Sequence, residues 1–226
     1  MAAPTTFFGE NLSPGGSTTG SPATARAAFL ATLSGGVGTE TFDTPATPVG
    51  TANPPLSFPG STGSITATLN GSGSVTDFGG SAGRFATSGR NWYETGSGGD
   101  FSISFSTGIS AFGFYGTDIG DINNGLTLRM TKVSDGTTIN LAVGNTIGAN
   151  NGSLLFFGFV DTDEAYSSIE FINAPGGGDV FGFDDMTVGD VTQIVNPPNG
   201  EVPLPAGGVL LLSALGGAAF LRRKKS

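Results

Sequence analysis

Leu126-Thr-Leu-Arg-Met130 and Thr138-Ile-Asn-Leu-Ala-Val143, which lie on either side of Asp135-Gly136, decide the fold class. Apolar and polar residues alternate in both runs, and this period of two is typical of half-buried β-strands. An Asp-Gly pair between two such runs is a strong signal for a β-hairpin. The next apolar run, Leu154-Leu-Phe-Phe-Gly-Phe-Val160, is uninterrupted, which predicts a central strand buried on both faces.

Further short runs of the same kind lie on both sides of this hairpin, at residues 65–69, 101–105, 111–115, 168–172 and 180–188. Many short strands at regular spacing are typical of a β-sandwich or jelly roll. We therefore predict an all-β fold. Its sandwich ectodomain is expected to cover residues 21–195 and to follow an N-terminal extended segment at 1–20.

One helix is predicted near the N-terminus. In Ser21-Pro22, the serine is a favoured N-cap and the proline suits the first helical position. Ala25, Phe29 and Leu33 then recur at every fourth residue, which places them on one face of a helix. Because a Gly-Gly pair ends this pattern, we expect the helix to span about residues 22–34.

Charge and composition exclude several classes of function. The formal net charge is −9 at pH 7, and a negative surface repels phosphate backbones, so we expect no nucleic-acid partner. The chain contains no Cys and no His, which excludes thiol catalysis, thiolate metal sites and a Ser-His-Asp triad. The 18 Phe supply apolar area for a core despite 39 Gly. We expect a folded domain that is not an enzyme.

The C-terminal residues differ in composition from the rest of the chain. Residues 196–205 form a proline-rich linker, residues 206–221 carry no charge, and four basic residues follow at once. A helix over 206–221 would be about 24 Å long, which approaches the ~30 Å hydrocarbon core of a bilayer. Since basic flanks stay on the cytoplasmic side, we predict a transmembrane helix at 206–221 and a basic cytoplasmic tail at 222–226. The exported ectodomain would then be anchored in the inner membrane before it reaches the cell surface or extracellular matrix.

The start of this tail, Val202, Pro203, Leu204, Pro205 and Ala206, resembles the sorting motif of PEP-CTERM proteins, in the variant known as VPLPA-CTERM. The resemblance covers the motif, the glycine- and leucine-rich segment and the basic end. It implies export, a membrane-embedded exosortase-type enzyme as partner, and a place in or beside an exopolysaccharide matrix. Leucine stands where the commonest form of the motif has glutamate. An ordinary single-pass anchor is the alternative.

The sequence Phe183-Asp184-Asp185-Met186 resembles the closing strand of carbohydrate-binding jelly rolls. In those proteins an acidic residue of this strand often binds a structural calcium ion together with oxygens of the opening strand. The resemblance implies Asp185, Glu40 and Asp43 as candidate calcium ligands, because calcium prefers carboxylate and carbonyl oxygens. The alternative is that Asp184 and Asp185 form a solvated turn. No other cofactor is expected.

Trp92 and Tyr93 are the candidate ligand-binding residues. Adjacent aromatic side chains with polar handles could stack on a sugar ring, although both could instead pack in the core.

The oxygen-rich loop with Asp118, Asp121 and Asn123 does not match an EF-hand, and the loop at 161–164 has the composition of an ordinary hairpin connection. We expect both loops to be structural.

These patterns predict an exported, non-enzymatic surface protein with the membrane and an exosortase-type enzyme as partners. The alternative function is a carbohydrate-binding module of the cell surface, for which polysaccharide is the partner. A hydrolase that uses Glu94 and Asp100 as paired carboxylates is the least favoured, because nothing in the sequence places them in a cleft at the required separation.

Overall fold

The computed structural model describes residues 3–15, 17–77, 81–96, 101–119, 125–149, 151–173 and 180–195. In these residues the chain forms two antiparallel β-sheets and one α-helix. The predicted linker, the sorting motif from Val202 to Ala206 and the basic tail at 222–226 lie outside the described residues.

The helix α1 spans Ser21–Leu30. The strands of the described residues are β1 Thr5–Asn11, β2 Gly38–Glu40, β3 Pro55–Gly60, β4 Gly63–Asn70, β5 Ser74–Thr76, β6 Trp92–Gly96, β7 Ser102–Ile109, β8 Ala111–Thr117, β9 Leu126–Lys132, β10 Thr138–Ala142, β11 Leu154–Val160, β12 Tyr166–Asn173 and β13 Val180–Gly189.

The first sheet has the strand order β1-β11-β8-β13-β6-β5, with β2 also paired to β13, and the second has the order β10-β9-β12-β7-β4-β3. The predicted hairpin is confirmed, because Thr131 of β9 pairs with Thr138 of β10 and Gly136 adopts a φ of 70° in the turn between them. Strand β11 is buried along its whole length, which confirms the prediction from its uninterrupted apolar sequence.

Phenylalanine rings fill the space between the sheets. The centroid of the fully buried Phe183 ring lies 5.1–6.5 Å from the centroids of five other rings, those of Phe42, Phe101, Phe112, Phe114 and Phe171. Such aromatic contacts contribute both buried area and favourable edge-to-face geometry. This cluster explains how a chain with so many glycines holds a core.

A pair of glycines explains how the helix packs on the outer face of the first sheet. Gly113 of β8 pairs with Gly158 of β11, and the Phe29 ring lies over both. A Cβ atom would come within 2.8 Å of that ring at Gly113 and within 3.0 Å at Gly158, closer than van der Waals contact allows. The missing side chains therefore admit Phe29, and they explain why β8 and β11 are buried on both faces.

The helix is shorter than predicted. It begins after Gly20, which makes no side-chain cap, and it ends at Leu30. The following residues leave the helix because they pair with the end of the described chain: Leu33 forms a bridge with Ile194, and the Ser34 amide donates to the carbonyl of Gln193 at 2.8 Å. Part of the N-terminal segment, which was predicted to be extended, forms the edge strand β1 and pairs with β11.

One component of the predicted fold class is wrong. That prediction included a C-terminal transmembrane helix, but no helix among the described residues is long and apolar enough to cross a membrane. The segment 206–221, to which the helix was assigned, lies outside the described residues. The described residues therefore form an all-β sandwich with one α-helix of 10 residues.

Candidate functional site

A bulge in β13 places Asp184 and Asp185 together on the outer face of the first sheet. The residues of β13 that face the core are Phe181, Phe183, Met186 and Val188, so the alternation changes phase by one residue between the second and third of them. At that point Asp185 adopts a φ of 50°, and the pairing with β8 shifts register. Both acids are nevertheless buried, with relative exposures of 1% and 5%.

The segment 84–91, here called the strap, is bonded to these acids. Thr87 donates from its amide and its Oγ1 to Oδ2 of Asp184 at 2.7 and 2.9 Å, and Ser88 Oγ donates to Oδ1 of Asp185 at 2.6 Å. Burial and the charge of Asp185 raise the pKa of Asp184 to about 8, against the lowering effect of the Thr87 donors and of the Asp185 amide. The two acids therefore hold a loop in place instead of forming a solvated turn.

Other carboxylates hold the ends of the strap. Asp43 Oδ1 accepts the amides of Arg90 and Asn91 at 3.0 and 3.1 Å. At the other end, Arg84 Nε donates to the Glu94 carboxylate at 2.7 Å. The acidic residues in this region are thus engaged by donors of the strap.

The three predicted calcium ligands are not arranged around one common position. Asp43 and Asp185 are bonded to different parts of the strap, and Glu40 Oε1 accepts the Phe42 amide at 2.6 Å. Burial raises the pKa of Glu40, which disfavours its charged form. No group of three His, Cys, Asp or Glu side chains in the described ranges could hold a metal ion. Calcium binding by these residues stays a prediction.

Asp118 joins three segments of backbone. Its Oδ1 accepts the Gly152 amide at 2.9 Å, and its Oδ2 lies 3.4 Å from Nη1 of Arg84. It is 1% exposed and adopts a φ of 66°, which is consistent with a structural role. Asp121 and Asn123 of the same loop lie outside the described residues.

The predicted stacking residues are buried in the domain. Trp92 is 1% exposed, and a Cβ on Gly182 would lie 3.2 Å from its indole. Tyr93 is fully buried and packs between the rings of Phe42 and Phe101. Burial in the domain therefore overturns their assignment as an exposed sugar platform.

A cleft of about 330 Å³ provides a different candidate site. It lies where β1 begins, beside the edge strand β10 of the second sheet. Its lining consists of Ala3, Pro4, Lys132, Ile139, Asn140, Leu141, Asp161, Glu164 and Tyr166. Volumes of this size are typical of small-molecule and saccharide sites, which combine apolar walls with a few placed polar groups.

The two carboxylates of the cleft are fixed by internal donors. Asp161 Oδ2 accepts the Tyr166 hydroxyl at 2.6 Å, and its Oδ1 accepts the amides of Asp163 and Glu164 at 2.9 and 3.2 Å. The Ser134 hydroxyl bonds to Glu164 and lowers its pKa. Burial and the Asp161 carboxylate raise the pKa of Tyr166. Glu164 is therefore favoured in its charged form, both acidic side chains are held in place, and Tyr166 keeps its proton.

Two polar side chains in the cleft are available to a ligand. Lys132 takes part in none of the four ion pairs between described residues. Asn140 is exposed, and its side-chain amide group makes no hydrogen bond to the described part of the chain. Beside them, Ile139 and Leu141 are only partly buried. The cleft thus presents donors, acceptors and apolar surface together.

The loop at 161–164 was predicted to be an ordinary hairpin connection, and its contribution to the cleft was missed. It is not a hairpin connection, because β11 belongs to the first sheet and β12 to the second. A crossing between sheets at this point turns Asp161 and Glu164 toward the edge of the sandwich. The available signal was a cluster of acids directly after a strand buried on both faces.

No family model and no curated protein matches the chain. Among solved structures, it is similar to the K2 cleaved adhesin domain of Lys-gingipain, with 14% identity, a TM-score of 0.42, and coverage of 67% of this chain and 97% of that one. A mutant of a family 29 carbohydrate-binding module gives 14% identity, a TM-score of 0.34, and coverage of 57% and 86%. A DUF4465 family protein from Bacteroides ovatus gives 10% identity, a TM-score of 0.32, and coverage of 83% and 99%. At these low TM-scores the similarities do not assign a function.

Proposed function

We propose that this is an exported surface protein that binds a neutral polysaccharide, without cleaving it, in the cleft between β1 and β10. The observation that carries the proposal is a Lys132 ammonium and an Asn140 side-chain amide that form no ion pair or hydrogen bond with the side chains of the described residues, beside two fixed carboxylates. A cleft of about 330 Å³ with this lining fits a sugar residue.

The chemistry of a sugar matches the lining of the cleft. Each hydroxyl both donates and accepts, so it can bond to Lys132 or Asn140 as an acceptor and to Asp161 or Glu164 as a donor. The C–H face of a sugar ring is apolar and can pack on the half-buried aliphatic surface of Leu141. Carboxylates with fixed positions need no reordering when the ligand binds, which reduces the entropic cost of association.

Charge favours a neutral ligand. The chain carries −9 overall, and the cleft holds two carboxylates against one ammonium group. An anionic polymer would be repelled by this field, as a nucleic acid would be. A neutral polysaccharide meets no such barrier, and its hydroxyls still gain charge-assisted hydrogen bonds.

Binding without cleavage is supported by the state of the carboxyl groups. A glycosidase needs a carboxylic acid whose pKa is raised so that it can donate a proton to the leaving group. In this cleft the Ser134 hydroxyl lowers the pKa of Glu164 instead. Asp161 is occupied by three internal donors. This arrangement suits an acceptor of hydrogen bonds.

The export part of the proposal rests on the tail. The motif from Val202 to Ala206 and the basic end resemble a sorting signal read by an exosortase-type enzyme in bacteria that make exopolysaccharide. A surface protein sorted in this way would meet polysaccharide as its nearest partner. The cleft and the motif thus support the same location.

Affinity electrophoresis of the full chain through gels that contain single soluble polysaccharides tests the binding. We expect at least one neutral polysaccharide to retard the protein. Lys132→Met should weaken that retardation about tenfold or more, since a hydrogen bond from a charged donor contributes about 1.5–3 kcal/mol. Asn140→Ala should act in the same direction with a smaller effect.

The matched control is Arg129→Met. Arg129 is a cation of the same strand, three residues earlier, but it pairs with Glu170 at 3.2 Å and does not line the cleft. Because each variant loses one positive charge, its retardation is measured against its own mobility in a gel without polysaccharide, and on that measure Arg129→Met should be retarded as the wild type is. Equal retardation of the Lys132→Met variant, or no retardation of the wild type by any polysaccharide, would contradict the proposal.

A further inference from the structure

The cleft continues into a strip of surface along the edge of the sandwich, which is here called the groove. Strand β1 and the segment 139–146 run side by side in the same direction. At the cleft, Pro4 lies beside residues 139–141. Farther along, the Phe8 ring lies beside Gly144, and the Glu10 carboxylate accepts the Thr146 amide at 2.9 Å. The sequence offset between the two segments stays constant, so they lie side by side along this strip, touch at Glu10 and Thr146, and are here called its walls.

Phe8 lies along this groove as an exposed aromatic ring. Its relative exposure is 38%, and it is the single aromatic residue among the seven large hydrophobic residues exposed in the described part of the chain. A Cβ on Gly144 would lie 3.7 Å from the ring, at ordinary van der Waals distance, so the ring lies against this glycine. The neighbouring Phe7 points to the other face and packs on Phe29. Among the described residues, no other aromatic ring packs on Phe8 in this way.

Exposed apolar residues concentrate along the same edge. Phe8, Leu12 and Ile147 belong to the two walls or follow them directly, and Val133 follows Lys132 of the cleft. These are four of the seven exposed large hydrophobic residues in the described ranges. Apolar exposure that is concentrated in this way marks a binding surface, whereas single scattered residues do not.

We propose that Phe8 is a second sugar-binding position, on which a ring of the polysaccharide stacks while another occupies the cleft. This inference rests on the proposed function, because the cleft supplies the first position. Four residues of extended strand separate Pro4 from Phe8, a distance of about 13 Å. The ligand is therefore a chain of several sugars that lies along the groove.

This geometry predicts a dependence on ligand length. Oligosaccharides too short to span the groove should bind through the cleft alone and should bind Phe8→Ala as tightly as the wild type. Longer oligosaccharides should bind the wild type more tightly and lose about five- to tenfold in affinity with Phe8→Ala, the loss expected for the partial burial of one phenylalanine ring. Phe8→Trp should retain the affinity for long ligands.

Calorimetric titration tests this with size-graded oligosaccharides made from a polysaccharide that retards the wild type. Val191→Ala, which truncates an exposed residue with 50% relative exposure away from the groove, is the control and should bind every length as the wild type does. Sedimentation of each variant shows whether the patch instead joins two copies of the chain.

The outcomes separate the two proposals. Equal affinity of the wild type and the Phe8→Ala variant at every length, with Lys132→Met still weak, would overturn the second position and leave the function intact. A change of oligomeric state in Phe8→Ala without a change in affinity would also overturn it. Failure of the wild type to bind any polysaccharide would overturn the function itself.

Discussion

Replacement of Phe183 by alanine is expected to lower the free energy of unfolding by about 3–5 kcal/mol. The residue is fully buried, and its ring is in contact distance of five other phenylalanine rings from both sheets. Its removal leaves a cavity whose walls belong to several strands and cannot all collapse inward. For a domain of this size, we expect the melting temperature to fall by about 6–20 °C.

Phe8→Ala is the matched control for this experiment, because it removes the same side chain from a site with 38% exposure at the sandwich edge. It should cost less than about 1 kcal/mol. Thermal and urea unfolding of both variants measure the difference. A loss below about 1 kcal/mol in Phe183→Ala would show that the phenylalanine cluster does not form the core.

The second large effect is a dependence of stability on pH that originates at Asp184. Its pKa is about 8 in the folded protein, because of burial first and the charge of Asp185 second, against an ordinary value of 3.8. Between these values the folded state binds a proton that the unfolded chain has released. The stabilisation is therefore complete below pH 3.8 and is lost as pH rises through 8. One such group contributes a slope of at most about 1.4 kcal/mol per pH unit.

Asp184→Asn should remove this slope. The asparagine stays neutral at every pH, and its carbonyl oxygen can still accept the amide of Thr87. We expect the variant to be more stable than the wild type at pH 8 and to approach it in mildly acidic buffer. Urea unfolding across that range measures the difference, with Val191→Ala as a neutral substitution that should parallel the wild type. Parallel curves for Asp184→Asn and the wild type would contradict the assignment.

The bulge in β13 was visible in the sequence, although we predicted only the strand. Apolar residues at 181 and 183 are followed by apolar residues at 186 and 188, and a strand without a bulge cannot send both pairs to one face. The same shift predicts that Asp184 and Asp185 lie together on the other face. What covers that face could not be predicted, because the strap lies almost a hundred residues earlier in the chain.

The glycines at the centres of β8 and β11 show a similar limit. Gly113 and Gly158 lie within two strong apolar runs, and a glycine inside a strand signals a close approach by another group. The sequence does not say that the approaching group is Phe29, because the pairing of the two glycines depends on strand register. The burial of both strand faces was predicted for β11 from its apolar content alone.

The candidate site was predicted least well, for a physical reason. Trp92 and Tyr93 have the residue types of a sugar platform, but aromatic side chains bury large areas and are drawn into cores unless the fold prevents it. The cleft instead combines the two residues before β1 with residues of β9, β10 and β12 and with the 161–164 loop. Its existence depends on which strands form the sheet edges, and only the assembled topology determines that.

The central claim is that polysaccharide occupies the groove between β1 and residues 138–147. Hydrogen exchange of the full chain, with and without a saturating polysaccharide that retards it in gels, tests this most directly, because exchange reports local opening and covering of each amide. We expect slower exchange in Thr5–Asn11 and in 138–147, with no change in the strap at 84–91. Slower exchange in the strap, with unchanged exchange along both walls of the groove, would contradict the account.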